Sequence, residues 1–280
     1  MSFNHKIGIG TVQFGMPYGI SNSVGQTSDS EVANILKYAL SNDVLVIDTA
    51  SAYGNAEEIL GKNNLRPFKI ISKFMPSTDR AGIKSQLIQS LTKLNVDKLY
   101  GYLAHRPMDL LKNPEHWVEL KELREAGKIS KIGYSLNTVE ELALLLDQAM
   151  VPDIVQVPYN YFDNRFREKL IELKSKGCEV HTRSTFLQGL FFMNIENLSE
   201  FFDPVKQIIY ALQSEYKNNL SRVLLKYVLS LDFIDCIIMG VENKEQLSLN
   251  IENVNTAQSI SDCKERISDL ILMPVNWPGK

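Results

Sequence analysis

Gly8-Ile9-Gly10-Thr11-Val12-Gln13, close to the start of the 280-residue chain, is the stretch that decides between two folds. It lies in a β-rich run from Ile7 to Val12, and Gln13 stands where a dinucleotide-binding G-x-G-x-x-G turn would need its third glycine. Further short β-rich runs follow at Val44 to Ile47, Phe68 to Ser72, Lys98 to Leu103, Ile129 to Tyr134, Asp153 to Val157, Cys178 to Thr182 and Phe233 to Met239. Between them, apolar residues recur at three- and four-residue intervals, as in Val32, Ile35, Leu36, Ala39 and Leu40, or Leu87, Leu91 and Leu94, which is the spacing of one helix face. Alternating strands and helices imply parallel pairing through right-handed crossovers, leaving an open doubly wound sheet or a closed barrel. The missing glycine favours the barrel, and roughly 250 residues is an ordinary size for a single (β/α)8 TIM barrel of the α/β class. Residues 1–280 read as one domain, with no internal repeat, low-complexity tract or linker.

Local punctuation agrees. Ser28 with Glu31, and Thr138 with Glu141, have capping-box spacing, and Gly127 and Gly177 fall where helices should stop. Three segments look irregular, Phe14 to Gln26, Arg106 to Pro114 and Gln188 to Pro204, and each follows a strand. In a barrel those loops lie on the catalytic face.

Lys and Arg total 30 against 33 acidic residues, and no basic run stands out, so nucleic acid and anionic membrane are not expected partners. Cys178, Cys236 and Cys263 form no C-x-x-C pair, which argues against a disulfide framework or structural metal site and fits a reducing cytoplasm. No signal-like start is seen, nor any run approaching ~18 uninterrupted apolar residues, so neither secretion nor a membrane span is expected.

Polar residues at the C-terminal ends of the strands are Asp48 after the second, Lys73 after the third and His105 after the fourth, with Tyr53 in the loop beyond Asp48. Hydride delivery to a carbonyl carbon leaves an oxyanion that must be protonated near neutral pH. A tyrosine can do this if a cation stabilises its phenolate character, and a lysine tied to a buried aspartate provides one. A nearby histidine can hydrogen-bond the carbonyl. Each residue alone also reads structurally: Asp48 as a turn cap, Tyr53 as a packed aromatic, Lys73 as a solvated strand end, His105 as a loop histidine. The set is stronger than its members because all four fall at one edge of consecutive strand units.

At these residues the sequence resembles the aldo-keto reductase family. Asp48-Thr49-Ala50-Ser51-Ala52-Tyr53-Gly54-Asn55-Ala56-Glu57-Glu58-Ile59-Leu60-Gly61 looks like the family's D-T-A-x-x-Y-G-x-(A/S)-E-x-x-(L/I)-G signature. It is followed in order by Ile71-Ser72-Lys73, Tyr102-Leu103-Ala104-His105, Ile132-Gly133-Tyr134-Ser135 and Gln156-Val157-Pro158-Tyr159-Asn160. The resemblance implies that Tyr53 is the general acid, Lys73 lowers its pKa, Asp48 pairs with Lys73 and His105 orients the carbonyl. It implies a nicotinamide cofactor, NADP with NAD as the alternative, and no metal. Gly10, Thr11 and Asp48 would lie along it, with Ser135 and Gln156 on its carboxamide. Arg183, Ser184, Phe186, Gln188 and Gly189 would cover the pyrophosphate, and Gly240, Val241, Glu242, Lys244, Gln246 and Asn250 would hold the adenosine end.

Some positions depart from the family. Arg183 replaces an aromatic ring that stacks on the nicotinamide, leaving open whether its planar guanidinium stacks there or reaches an anionic substrate group, and Leu136 replaces an asparagine. Gly240 and Gln246 stand where NADP-dependent members place Lys and Arg, which leaves Lys244 as the cation for a ribose phosphate. Few residues precede Lys6, so the family's barrel-plugging hairpin is expected to be shortened or absent. The C-terminal segment from Met273 is short, leaving substrate selection to Phe14–Gln26 and Arg106–Pro114. Thr11 to Ile20 resembles a bacterial subgroup associated with surface-polysaccharide and sugar-nucleotide pathways. The function implied is reduction of an aldehyde or ketone, such as a keto-sugar, by a cytoplasmic monomer or small homo-oligomer whose partner is a small carbonyl substrate. A redox-sensing regulatory subunit with little turnover, and a non-redox barrel lyase or isomerase, stand as alternatives.

Overall fold

Strand β1 (Ile7–Gly10) pairs in parallel with β2 (Val46–Asp48) on one side and β8 (Cys236–Gly240) on the other, Gly10 standing opposite both Asp48 and Gly240. With β3 (Lys69–Phe74), β4 (Leu99–Ala104), β5 (Ile129–Ser135), β6 (Ile154–Pro158) and β7 (Glu179–Arg183) this closes a barrel in sequence order. The closure settles the choice that the missing glycine pointed to. The computed structural model describes residues 3–20, 22, 24–77 and 82–278; residues 21 and 23 of the expected irregular segment Phe14–Gln26 lie outside them. Helices α1 (Asp29–Ser41), α2 (Ala56–Gly61), α3 (Gly82–Leu94), α4 (Glu115–Glu125), α5 (Val139–Asp147), α6 (Arg167–Ser175), α7 (Asp203–Tyr216), α8 (Leu220–Leu229) and α9 (Lys244–Ile251) form the outer layer.

Thr138 and Glu141 form the full reciprocal capping box at the start of α5. Ser28 caps α1 through the Glu31 amide, but the Glu31 carboxylate does not return the bond: it accepts from the Lys244 amide at 2.7 Å and from Asn34. A tertiary contact with α9 thus replaces half of the expected box. Gly127 and Gly177 both take positive φ, +72° and +87°, and end α4 and α6 as left-handed stops.

Strand edges differ systematically from the apolar runs. β1 stops at Gly10 because the Thr11 amide and hydroxyl both donate to the Asp48 carbonyl, after which Val12–Gly15 turns helically. β2 and β3 instead run past their apolar stretches, so Asp48 and Lys73 lie inside strands rather than after them. Backbone pairing continues there because buried N–H and C=O groups still need partners; Ser51 N, for example, donates to Lys73 O.

Two apolar layers and a satellite hold the site. The outer core between strands and helices includes Ile9, Ile47, Ile70, Tyr102, Tyr134 and Val157. Inside the barrel, Val46, Ile71, Leu103, Ile154, Cys236 and Ile238 form a closed layer, with small residues between them: a Cβ on Gly133 would sit 1.7 Å from Ile154 O. The satellite packs Leu187, Leu190 and Phe191, from the segment after β7, against α7 and the C-terminal residues Ile271, Leu272 and Trp277. Asn4–Lys6 makes one 3-10 turn, and Lys6 donates to the carbonyls of Leu229 and Leu231; among the described residues no strand precedes β1. No helix among them is long and apolar enough to cross a membrane.

Candidate active site

Side chains alternate faces along a strand with period two. Five of the six inner-layer residues are therefore followed, two positions on, by a residue at the C-terminal mouth: Val46 by Asp48, Ile71 by Lys73, Leu103 by His105, Ile154 by Gln156 and Ile238 by Gly240. This arithmetic gathers a polar layer on an apolar floor. Lys73 and Asp48 are buried and joined at 2.5 Å. Lys73 also donates to Thr49 O at 3.0 Å and approaches the Tyr53 hydroxyl at 3.5 Å. The second Asp48 oxygen accepts from Gln156 Nε2 at 2.8 Å, and Gln156 Oε1 lies 3.5 Å from the Ser135 hydroxyl. The Tyr53 ring meets His105 edge-on at 5.6 Å and takes the Lys73 ammonium 5.1 Å from its centroid. Its loop is held by glycine contact, since a Cβ on Gly15 would lie 1.7 Å from Tyr53 O and one on Gly54, at φ +55°, would lie 2.3 Å from Gly15 O.

Electrostatics separate the roles open to these groups. Burial works against the Lys73 charge, but the adjacent Asp48 carboxylate more than offsets it, leaving Lys73 above the ordinary lysine value and cationic. Burial, then the cations of Lys73, Arg183 and Arg106, push His105 down to about 3. His105 is therefore a neutral imidazole near pH 7, able to donate one hydrogen bond but not to act as the acid. The same shift has a stability signature. In the unfolded chain the group titrates near its ordinary 6.5, so as pH falls from there toward 3 only the unfolded state gains the proton and the native state loses ground. His105→Gln should therefore gain in melting temperature relative to the parent as pH drops from about 7 to about 4.5; a constant difference between the two curves would contradict the neutral assignment.

These residues open into a cavity of about 1000 Å³. Gly10, Thr11, Asp48, Tyr53, His105, Ser135, Gln156, Arg183, Ser184, Phe186, Gln188, Gly189, Gly240, Glu242, Gln246 and Asn250 line it, so the structure brings these candidate residues to one cavity. Lys73 lies just beneath, fully buried. Val241 and Lys244 do not reach it: Val241 is buried in the outer core, and the Lys244 ammonium sits 5.5 Å over the Tyr38 ring on α1. A cation that the motifs do not mark, Arg222, lines the cavity where Lys244 does not. Arg222 lies in the first turn of α8, lines the cavity, and is held by Leu249 O at 2.9 Å and Asn219 Oδ1 at 3.0 Å. Gln13, Tyr18 and Asn137 also line it, none of them a contact that the motifs mark. Gln13 packs where a side chain at 240 would go, 2.9 Å from the Cβ that Gly240 lacks.

The arrangement fits an elongated ligand rich in hydrogen-bonding groups. Gln13 Oε1, His105 Nδ1 and Thr185 Oγ1 are buried polar atoms without a protein partner, and all three residues line the cavity. Ser184, Leu187 and Gln188 hold positive φ values of 65°, 45° and 54°, with Gly189 at 93°. Left-handed backbone costs a non-glycine residue roughly 1–2 kcal/mol. It persists here because Leu187 is fully buried in the satellite cluster and Asn160 binds Ser184 O. Gln188 then donates to the Tyr18 hydroxyl at 2.9 Å, joining the segments after β7 and β1. No described residue beyond Asn250 lines the cavity, so the C-terminal segment supports the β7 loop rather than walling the site.

Comparison with known proteins agrees with this geometry. Residues 6–267 match the aldo/keto reductase family. The aldo-keto reductase YhdN of Bacillus subtilis is 30% identical, over 93% of this chain and 88% of that protein. An NAD/NADP-dependent indole-3-acetaldehyde reductase of Schizosaccharomyces pombe is 27% identical, over 76% of this chain and 77% of its own. Among solved structures, an aldo-keto reductase from Bacillus halodurans in its holo form superposes with a TM-score of 0.70 at 19% identity, covering 91% of this chain and 88% of that one. One from Klebsiella pneumoniae in complex with NADP and acetate gives 0.66 at 20% identity, covering 91% and 87%. With the family matched across nearly the whole barrel, this chain is an oxidoreductase of the aldo/keto reductase family.

Proposed function

We propose that the chain reduces an aldehyde or ketone to the alcohol with NADPH, Tyr53 delivering the proton. The observation that carries this reading is the assembly of Tyr53, Lys73 and Asp48 beside a neutral His105 at the floor of one cavity. A bound reduced nicotinamide supplies the hydride. The protein's part is to hold the carbonyl and provide a proton where oxyanion charge develops. Tyr53 is the donor because His105 lacks the proton to give at neutral pH and Lys73 is locked to Asp48. Lys73 stabilises the phenolate left behind, and the imidazole N–H of His105 orients the carbonyl oxygen.

Ser135 and Gln156 would hold the carboxamide, and Gln156, fixed by Asp48, ties coenzyme placement to the proton donor. The segment Ser184–Gly189, left-handed at Ser184, Leu187, Gln188 and Gly189, would cover the pyrophosphate, with Gln246 and Asn250 at the adenosine. Arg222 supplies the cation for a ribose 2′-phosphate, while Glu242, in the same region, would accept from a free ribose hydroxyl. The names of two similar proteins, one NAD/NADP-dependent and one solved with NADP, support a nicotinamide coenzyme here.

The test is to titrate the protein with NADPH and NADH by fluorescence, then follow nicotinamide absorbance over a panel of aldehydes and keto-sugars. Coenzyme binding with turnover is expected; absence of turnover on every carbonyl would overturn the reading. Arg222→Gln should weaken NADPH roughly tenfold or more and NADH little, the size of one lost hydrogen bond between charged groups. Equal weakening of both would remove Arg222 from the 2′-phosphate.

A further inference from the structure

Half-buried arginines in this chain are normally neutralised. Arg124 pairs with Asp153 at 2.6 Å, Arg165 with Asp163 at 2.9 Å and Asp269 at 3.1 Å, and Arg167 with Asp262 at 2.8 Å. Arg183 and Arg222 differ: no carboxylate pairs with either among the described residues, and both line the cavity. Arg222 stands with Leu249 and Asn250 at the end assigned to the coenzyme phosphate. Arg183 stands at the catalytic end. Its guanidinium donates to Leu136 O at 2.9 Å, Asn137 Oδ1 at 2.8 Å and Ser184 Oγ at 3.4 Å, acceptors that orient the fork without cancelling its charge. The buried Asp163 carboxylate feels the Arg183 charge but is bound directly by Arg165, so the half-buried Arg183 guanidinium has no carboxylate in contact with it, an arrangement that an arriving anion would stabilise.

Arg106 adds a second cation at the same end. It follows His105 directly, lines the cavity, and pairs with no carboxylate among the described residues. Both arginines act on the His105 imidazole, which places their charges around the group that would hold the carbonyl. The carboxylates lining the cavity do not compensate them, because Asp48 is spent on Lys73 and Glu242 lies with Gln246 near the adenosine region.

We propose that the carbonyl substrate carries an oxyanion, a carboxylate or a phosphate, bound by Arg183 and Arg106 at the catalytic mouth. This rests on the carbonyl-reduction reading above. A planar fork held at one edge by neutral acceptors still offers N–H donors to an oxyanion, and a guanidinium suits bidentate binding of either group. The anion positions the molecule; Tyr53 and His105 act on its carbonyl.

Two matched pairs test it in the intact protein with saturating coenzyme: butanal against succinic semialdehyde for a carboxylate, and glyceraldehyde against glyceraldehyde 3-phosphate for a phosphate. At least one anionic member should show kcat/KM roughly tenfold or more above its neutral partner, in a salt-sensitive way. The arm that responds identifies the oxyanion. Arg106→Gln and Arg183→Gln should each cut that anionic-to-neutral ratio severalfold. Neutral members turned over as well as the anionic ones in both pairs would overturn the proposal and leave carbonyl reduction standing, whereas no turnover on any of the four would remove the earlier reading. An Arg183→Gln variant that loses coenzyme affinity but keeps the anion ratio would assign Arg183 to the coenzyme and overturn its place here.

Discussion

Tyr53→Phe is expected to lower kcat by roughly 10²- to 10⁴-fold, the range for losing a positioned general acid, with coenzyme affinity close to that of the parent. The substitution removes one oxygen from a ring whose other contacts survive. The edge-on packing with His105 at 5.6 Å and the Lys73 ammonium 5.1 Å from the ring centroid both involve the ring itself, so the loop and its neighbours keep their supports. Neither neighbour of the hydroxyl takes over the proton: His105 is held down to about 3 and is neutral, and Lys73 is held charged by Asp48. Single-turnover measurement of nicotinamide absorbance, alongside fluorescence titration of the coenzyme, separates the chemical step from binding. A variant that reduces carbonyls at the parental rate would show that the proton comes from elsewhere. A variant that loses coenzyme binding instead would show that Tyr53 supports the fold of the cavity.

Much of this site can be read from the sequence because a barrel strand is a ruler of period two. Val46-Ile47-Asp48 and Ile71-Ser72-Lys73 each put an inward apolar residue two places before a polar one, so the floor and the functional layer are written together. The glycine that fails to appear at position 13 likewise carries the barrel. Tertiary contacts are less legible. The Glu31 carboxylate leaves its own helix cap for the Lys244 amide, a choice made by α9 packing over 200 residues away in sequence. Lys244 looked like a phosphate ligand by position, yet it is the first residue of α9 and its side chain turns outward onto Tyr38. Arg222 escaped because it sits on no strand end. The available signal was topological: barrel helices run back against the strands, so their first turns return to the catalytic face, and Asn218-Asn219-Leu220-Ser221-Arg222 is a polar first turn.

The second large effect falls on stability as well as activity. Lys73→Met keeps the length of the side chain but leaves Asp48, only 2% exposed, without its cation. Stranding one member of a buried ion pair costs about 3–5 kcal/mol. For a chain of this size that corresponds to a fall in Tm of roughly 5–9 °C. Turnover should vanish with it, since Tyr53 loses the charge that stabilises its phenolate. The informative comparison is the double variant Asp48→Asn/Lys73→Met. The Asp48→Asn change removes the stranded charge, and the new amide oxygen can still accept from Gln156 Nε2, which now donates to Asp48 at 2.8 Å. The double variant should therefore regain most of the lost Tm, because replacing both partners of a buried pair is often close to neutral, while activity stays absent. Calorimetry on the parent, the two single variants and the double measures the coupling. If Lys73→Met melts with the parent, the pair contributes nothing to the native state. If the double variant recovers turnover together with Tm, the Lys73 charge plays no part in proton delivery.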